Sequence, residues 1–104
     1  METIDKLFDI IRTLRSENGC EWDKKQSPET MWVCLAEEVY ELEEAITKQD
    51  NKHICEELGD VLFQLVFIIE MFQEKKAFTF SDVIGQVAQK MIRRHPHVYE
   101  DAKI

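Results

Sequence analysis

Apolar residues recur along this chain at helical spacing, and strand-type alternation is nearly absent. Ile4, Leu7, Phe8, Ile11 and Leu14 fall on one face of an amphipathic helix over residues 3–15. The polar run SENGCEWDKKQ (16–26) then reads as a loop around Gly19. A second helix restarts at SPE, where Ser27 suits the cap and Pro28 the first helical position. Its apolar stripe is Met31, Leu35, Val39, Leu42 and Ile46, and it runs to Lys48. After the short turn QDN (49–51), a third helix covers residues 52–75 with Gly59 inside it. AFTFSD (77–82) is a brief connection in which Thr79 or Ser81 can cap a fourth helix. That helix ends before Pro96, because proline disfavours helical backbone at the residue preceding it.

Four helices with short connections predict an all-α, antiparallel helical bundle. The third helix carries Leu62, Phe63, Val66, Phe67, Ile69 and Phe72 on more than one face. A helix that is apolar all round is buried all round. In a chain of 104 residues the expected cover is another subunit, and a homodimer or homotetramer is expected to complete the bundle. The length fits one domain spanning 1–104. The apolar run of that helix is about 12 residues, short of the roughly 18 that a membrane span needs. The N-terminus METIDKLFDIIRTL has acids early and no signal-peptide core. A soluble, cytoplasmic protein is expected.

Charge narrows the partners. Twenty-one acidic residues against 13 Lys and Arg give a formal net charge of −8. That argues against binding a nucleic-acid polymer or a membrane surface, since both call for a net basic face. It permits a cation site. Cys20, Cys34 and Cys55 are odd in number, widely spaced and without a CxxC pair, as expected of reduced thiols in the cytosol.

The acids are not scattered. Glu37, Glu38 and Glu41 share a face of the second helix, and Glu57 and Asp60 share one on the third. Antiparallel pairing through the turn at 49–51 sets Glu38 and Glu41 opposite Glu57 and Asp60. Four converging carboxylates repel strongly. A hard divalent cation such as Mg²⁺ relieves this and keeps positions open for water and phosphate. The plainer reading of the second helix is a solvated acidic face, because its acids lie opposite its main apolar stripe. The third helix fits that reading less well. His53, Glu56, Glu57, Asp60 and Gln64 make a narrow polar stripe that turns apolar at Phe67, Ile68 and Met71. Gly59 costs about 1 kcal/mol relative to alanine in a helix interior, which suggests that something approaches closely there. Spacing alone leaves both a metal site and a solvated face open.

EEVYE (37–41), followed after fifteen residues by ELGD (57–60), resembles the EExxE…ExxD signature of the MazG-type, all-α nucleoside triphosphate pyrophosphohydrolases. GCEWDKKQS (19–27) is similar to the family's GCPWDxxQT segment, and KMIRRHPHVY (90–99) to its closing KxxRRHPHVF. The likeness covers nearly the whole chain in the expected order. It implies Mg²⁺-dependent cleavage of a nucleoside triphosphate between the α- and β-phosphates, with Mn²⁺ as the alternative metal. Glu38, Glu41, Glu57 and Asp60 match the family's metal ligands. Glu37 matches the first acid of the signature, and Glu37 or Glu38 would orient or deprotonate the attacking water. Lys90 and Arg94 match residues that contact the triphosphate, with Arg93 adjacent, although cations near a helix C-terminus also simply complement its dipole. Trp22 would stack on the base or plug its loop. Lys24 and Lys25 would reach phosphates or stay solvated. His95 and His97 read as a structural stop, and His53 as a surface histidine on the first turn of its helix.

Three departures stand out. Glu21 replaces the family's proline, Ile92 replaces a residue that is often polar, and the chain reads as one unit where longer members carry two. The expected function is broad (d)NTP hydrolysis for nucleotide-pool house-cleaning. The rivals are a relative with a specialised substrate, such as phosphoribosyl-ATP or one dNTP, and a non-catalytic helical dimer that binds nucleotides.

Overall fold

The computed structural model describes residues 2–99. The elements are α1 (Ile4–Leu14), α2 (Glu21–Lys24), α3 (Pro28–Thr47), α4 (Asn51–Glu74), α5 (Phe80–Arg94) and α6 (Pro96–Tyr99). No strand occurs among the described residues. The four long helices are the four that periodicity predicts. The loop over 16–26 is not all loop, because it contains the single turn α2, and the chain forms another turn, α6, beyond Pro96.

Caps explain where the helices begin. Ser27 Oγ accepts from the Thr30 amide, and Thr30 Oγ1 accepts from the Ser27 amide, a reciprocal capping box before Pro28. Thr79 and Asp82 do the same for α5, so Thr79 rather than Ser81 is the cap. Two helices end through a residue in the left-handed region. Gln49 (φ 57°) follows α3 and Lys76 (φ 59°) follows α4. In each case the next amide reaches five residues back, Asp50 to Ala45 O and Ala77 to Phe72 O.

The chain packs as two compact units, one ending at Met71 and the other beginning at Phe72. The first has a continuous core: Phe8 and Ile11 of α1, Met31, Leu35 and Ala45 of α3, and Val66, Phe67 and Met71 of α4. α1 runs antiparallel to α4. Arg12 Nε lies 3.3 Å from Glu70 Oε1, and the Arg15 guanidinium stands 5.5 Å from the centroid of the Phe67 ring. In the second unit Phe72 stacks on Phe78, and the Phe80 amide donates to Gln73 Oε1 at 2.7 Å, tying the start of α5 to the last turn of α4.

The predicted stripe of α3 is half right. Met31 and Leu35 are buried, but Val39 and Ile46 are exposed and Ala45 is buried instead. On a 3.6-residue helix Val39 and Ile46 lie about 80° and 60° round from Met31, at the edge of the face that meets the core. α4 is likewise not covered all round within one chain. Leu58, Leu62 and Leu65, at i, i+4 and i+7, are all exposed.

Candidate metal and nucleotide site

α3 and α4 bring their acids together by running antiparallel through the turn at Lys48–Asp50. Asp50 Oδ1 accepts from the His53 amide and starts α4. Carboxylate oxygens of Glu38, Glu57 and Asp60 then lie within 4.8 Å of one another. A second trio, Glu41, His53 and Glu57, meets the same limit. The four acids expected at the site therefore form two overlapping groups that share Glu57, not one ring.

Glu57 is the centre of both. It is 8% exposed, deep for a carboxylate. One oxygen, Oε1, lies 3.2 Å from His53 Nε2. The other, Oε2, is shut off from solvent with no hydrogen-bond partner. Glu38 faces it. Burial pushes the Glu38 carboxyl up from its ordinary 4.5 to about 7, the hydrogen bond to Glu57 pushes the same way, and the charges of Asp60, Glu57 and Glu41 add to it.

A divalent cation fits here. The Glu38–Glu57–Asp60 trio offers only hard oxygen donors, and Glu57, one of whose oxygens is orphaned, belongs to it. His53 suits a hard cation less well. It orients Glu57, as an imidazole beside a ligating carboxylate does. Sequence reasoning placed His53 at the surface; the signal it passed over was the four-residue spacing to Glu57. Gly59 lies between the acids, but a Cβ there would meet nothing within 4 Å in this chain. Glu37 is exposed and belongs to neither trio.

The remaining expected contacts are distributed as follows. Trp22 is exposed on α2. Lys24 is held by the Glu17 carbonyl and the Glu21 carboxylate, each at 2.8 Å, whereas Lys25 is exposed and makes no ion pair among the described residues. In the second unit, Lys90 and Arg93 line a cavity of about 570 Å³ with Phe78, Val83, Gln86 and Gln89. Arg94 does not line it, so Lys90 is grouped with Arg93 rather than with the expected Arg94. His95 Nδ1 lies 2.6 Å from Met91 O and closes α5, in keeping with a structural stop. Cys20, Cys34 and Cys55 are free. No helix among the described residues is long and apolar enough to cross a membrane.

Comparison with known proteins extends this geometry. Residues 26–99 match the family described as the MazG nucleotide pyrophosphohydrolase domain. The chain is 49% identical over 98 residues to a nucleoside triphosphate pyrophosphohydrolase/pyrophosphatase MazG of Thermotoga maritima, covering 94% of this chain and 38% of that protein. It is 45% identical over 103 residues to a nucleoside triphosphate pyrophosphohydrolase of Escherichia coli, covering 98% of this chain and 39% of that protein. The chain thus spans about two fifths of the length of these curated relatives. The fold is similar to that in the crystal structure of a mazG-related protein from Thermotoga maritima, with a TM-score of 0.78 and 33% identity, covering 96% of this chain and 86% of that one.

Proposed function

The chain belongs to the MazG nucleotide pyrophosphohydrolase family, and from that premise we propose that it hydrolyses nucleoside triphosphates, (d)NTPs, to the monophosphate and pyrophosphate. The observation that carries this is the Glu38–Glu57–Asp60 trio with its orphaned buried oxygen. Mg²⁺ is the cation it suits, with Mn²⁺ as a substitute. A bound cation polarises the phosphates and lowers the pKa of the attacking water.

The chain's own residues do the rest. Glu38, Glu57 and Asp60 hold the cation, Glu41 adds charge beside them, and His53 fixes the orientation of Glu57. The anhydride between the α- and β-phosphates breaks as water adds its oxygen to one fragment, and a carboxylate takes the released proton. Glu38 is better placed for this than Glu37, because it stands inside the trio. The family resemblance assigns triphosphate contacts to Lys90 and Arg94, with Arg93 adjacent, and Trp22 on α2 and Lys25 just beyond it are the candidates to meet the nucleotide. The exposed Leu58, Leu62 and Leu65 of α4 are covered by a second copy, giving a homodimer or homotetramer. The role is clearance of unwanted nucleotides in the cytoplasm.

The test is pyrophosphate release from a (d)NTP panel with Mg²⁺, comparing the wild-type chain with Glu38→Gln and Asp60→Asn. Turnover should fall at least about a hundredfold in both variants with the oligomer intact. Turnover that survives in both would put the metal elsewhere. A wild-type chain that binds nucleotides without turning any over would make this a binding protein.

A further inference from the structure

α1 ends where the chain must turn back on itself, and the turn is built around Arg15. The residue stands at the C-terminus of α1, half-buried, with its guanidinium over the ring of Phe67. From there Arg15 Nη1 donates to Asp23 O at 2.6 Å and to Gln26 O at 3.4 Å. These carbonyls lie in and just beyond α2. One side chain therefore ties both ends of the 23–26 stretch to a core residue of α4. Gly19 makes the turn compact enough for this: its amide bonds Ser16 O, the Cys20 amide bonds Leu14 O, and a Cβ at 19 would collide with the carbonyls of Leu14 and Thr13.

The anchoring point matters. Phe67 is seven residues beyond Asp60, about 10 Å along α4 and only about 20° round from it. Arg15 thus pins α2 over the same face of α4 that carries the acidic trio, two turns further along. α2 presents Trp22 and Lys25 at its surface. Lys24 ties the segment to its own neighbours Glu17 and Glu21.

We propose that Arg15 is a positioning residue for substrate: by bridging the Asp23 and Gln26 carbonyls while stacking on Phe67, it holds α2 where Trp22 and Lys25 engage a nucleoside triphosphate whose phosphates lie at the Glu38–Glu57–Asp60 trio. This rests on the reading of that trio as a nucleotide site. The Arg15 guanidinium lies over the Phe67 ring while one of its nitrogens donates to both carbonyls; a lysine ammonium lacks the planar face and the reach to do both in the same place.

The experiment compares the full chain with Arg15→Lys, each also carrying Trp32→Phe so that Trp22 is the only tryptophan. Circular dichroism and sedimentation should show the same fold and oligomer. Without nucleotide, the anisotropy of Trp22 should fall and tryptic cleavage after Lys24 or Lys25 should quicken; unchanged values in both would overturn the clamp, whatever the activity. With substrate, KM should rise about tenfold or more while kcat stays within about twofold. Stabilisation by Mg²⁺ alone should not change. A wild-type KM in Arg15→Lys, or a fall in kcat alone, would end the positioning role even if the segment had loosened. If the parent chain neither turns over (d)NTPs nor shows Trp22 quenching by α,β-methylene-ATP, the nucleotide reading itself fails, and the anisotropy still decides whether the clamp exists.

Discussion

Glu38→Gln should stabilise the metal-free protein above neutral pH while abolishing its response to Mg²⁺. The Glu38 carboxyl is raised from 4.5 to about 7, chiefly by burial, then by its hydrogen bond to Glu57 and the charges of Asp60, Glu57 and Glu41. An acid raised in the folded state keeps its proton after the unfolded chain has lost it. Folding then binds a proton between pH 4.5 and 7, and stability falls as pH rises through that window. Below it the penalty is absent; above it the penalty is complete and flat. At about 1.4 kcal/mol per pH unit the ceiling is about 3 kcal/mol. Glu57, Asp60 and Glu41 still repel one another in the variant, and a recovery of about 1–2 kcal/mol is expected. For a chain of this length that is a rise in Tm of roughly 4 °C or more.

The assay is thermal unfolding in EDTA from pH 4 to 9 at fixed protein concentration, read as the difference between variant and wild type. The difference should open between pH 4.5 and 7 and then level off. Adding Mg²⁺ should raise the wild-type Tm, since a ligand that binds only the folded state stabilises it by mass action, and should leave the variant nearly unmoved. A difference that is zero or negative at pH 8 in EDTA would refute the account, because it would mean that Glu38 is not held against its neighbours' charge.

Three further substitutions probe the scaffold. Gly19→Ala should destabilise the chain by about 2 kcal/mol or more in urea unfolding, because its Cβ meets backbone carbonyls that cannot swing aside. Gln49→Gly should stabilise by about 0.5–1 kcal/mol in the same assay, since Gln49 ends α3 in the left-handed region that disfavours a side chain. Leu62→Glu should shift the protein toward monomer in analytical ultracentrifugation, because Leu62 is the middle residue of the exposed α4 row; an unchanged oligomer would place the interface on another face.

The long helices were legible because each repeats its pattern over several turns. α2 and α6 were not, because a single turn is shorter than any periodicity can register. Met31 and Leu35 announced the core face of α3, but Val39 and Ile46 were read as its continuation when Ala45, small and uninformative, is the buried residue. The acids of α3 and α4 were legible as two faces that antiparallel pairing would bring together. The division into two trios was not, because it depends on side-chain distances across two helices. His53 was legible only as a member of the polar stripe, because its contact with Glu57 depends on how the two side chains turn. The Arg15 bridge has no sequence signature at all, since its partners are backbone carbonyls that any residue could supply at 23 and 26.

The charges on α4 and its apolar run belong to one face, and this explains their closeness. Glu57 and Gln64, Asp60 and Phe67, and Gln64 and Met71 are each seven residues apart and so nearly in line on the helix. At the Phe67–Met71 end both residues are buried, with Arg15 at the end of α1 over the Phe67 ring. At the other end Asp60 is exposed. Closing the whole face would have required removing the acids or pairing them with cationic side chains, as Arg12 pairs with the buried Glu70 about three turns beyond Asp60. That solution is used at Glu70 and not at Glu57, which has His53 on one oxygen and nothing on the other. A buried carboxylate left in that state, in contrast to the paired Glu70, fits the proposed cation site. The cost in metal-free stability and the capacity to bind metal have the same origin, which is why one substitution, Glu38→Gln, should move them in opposite directions.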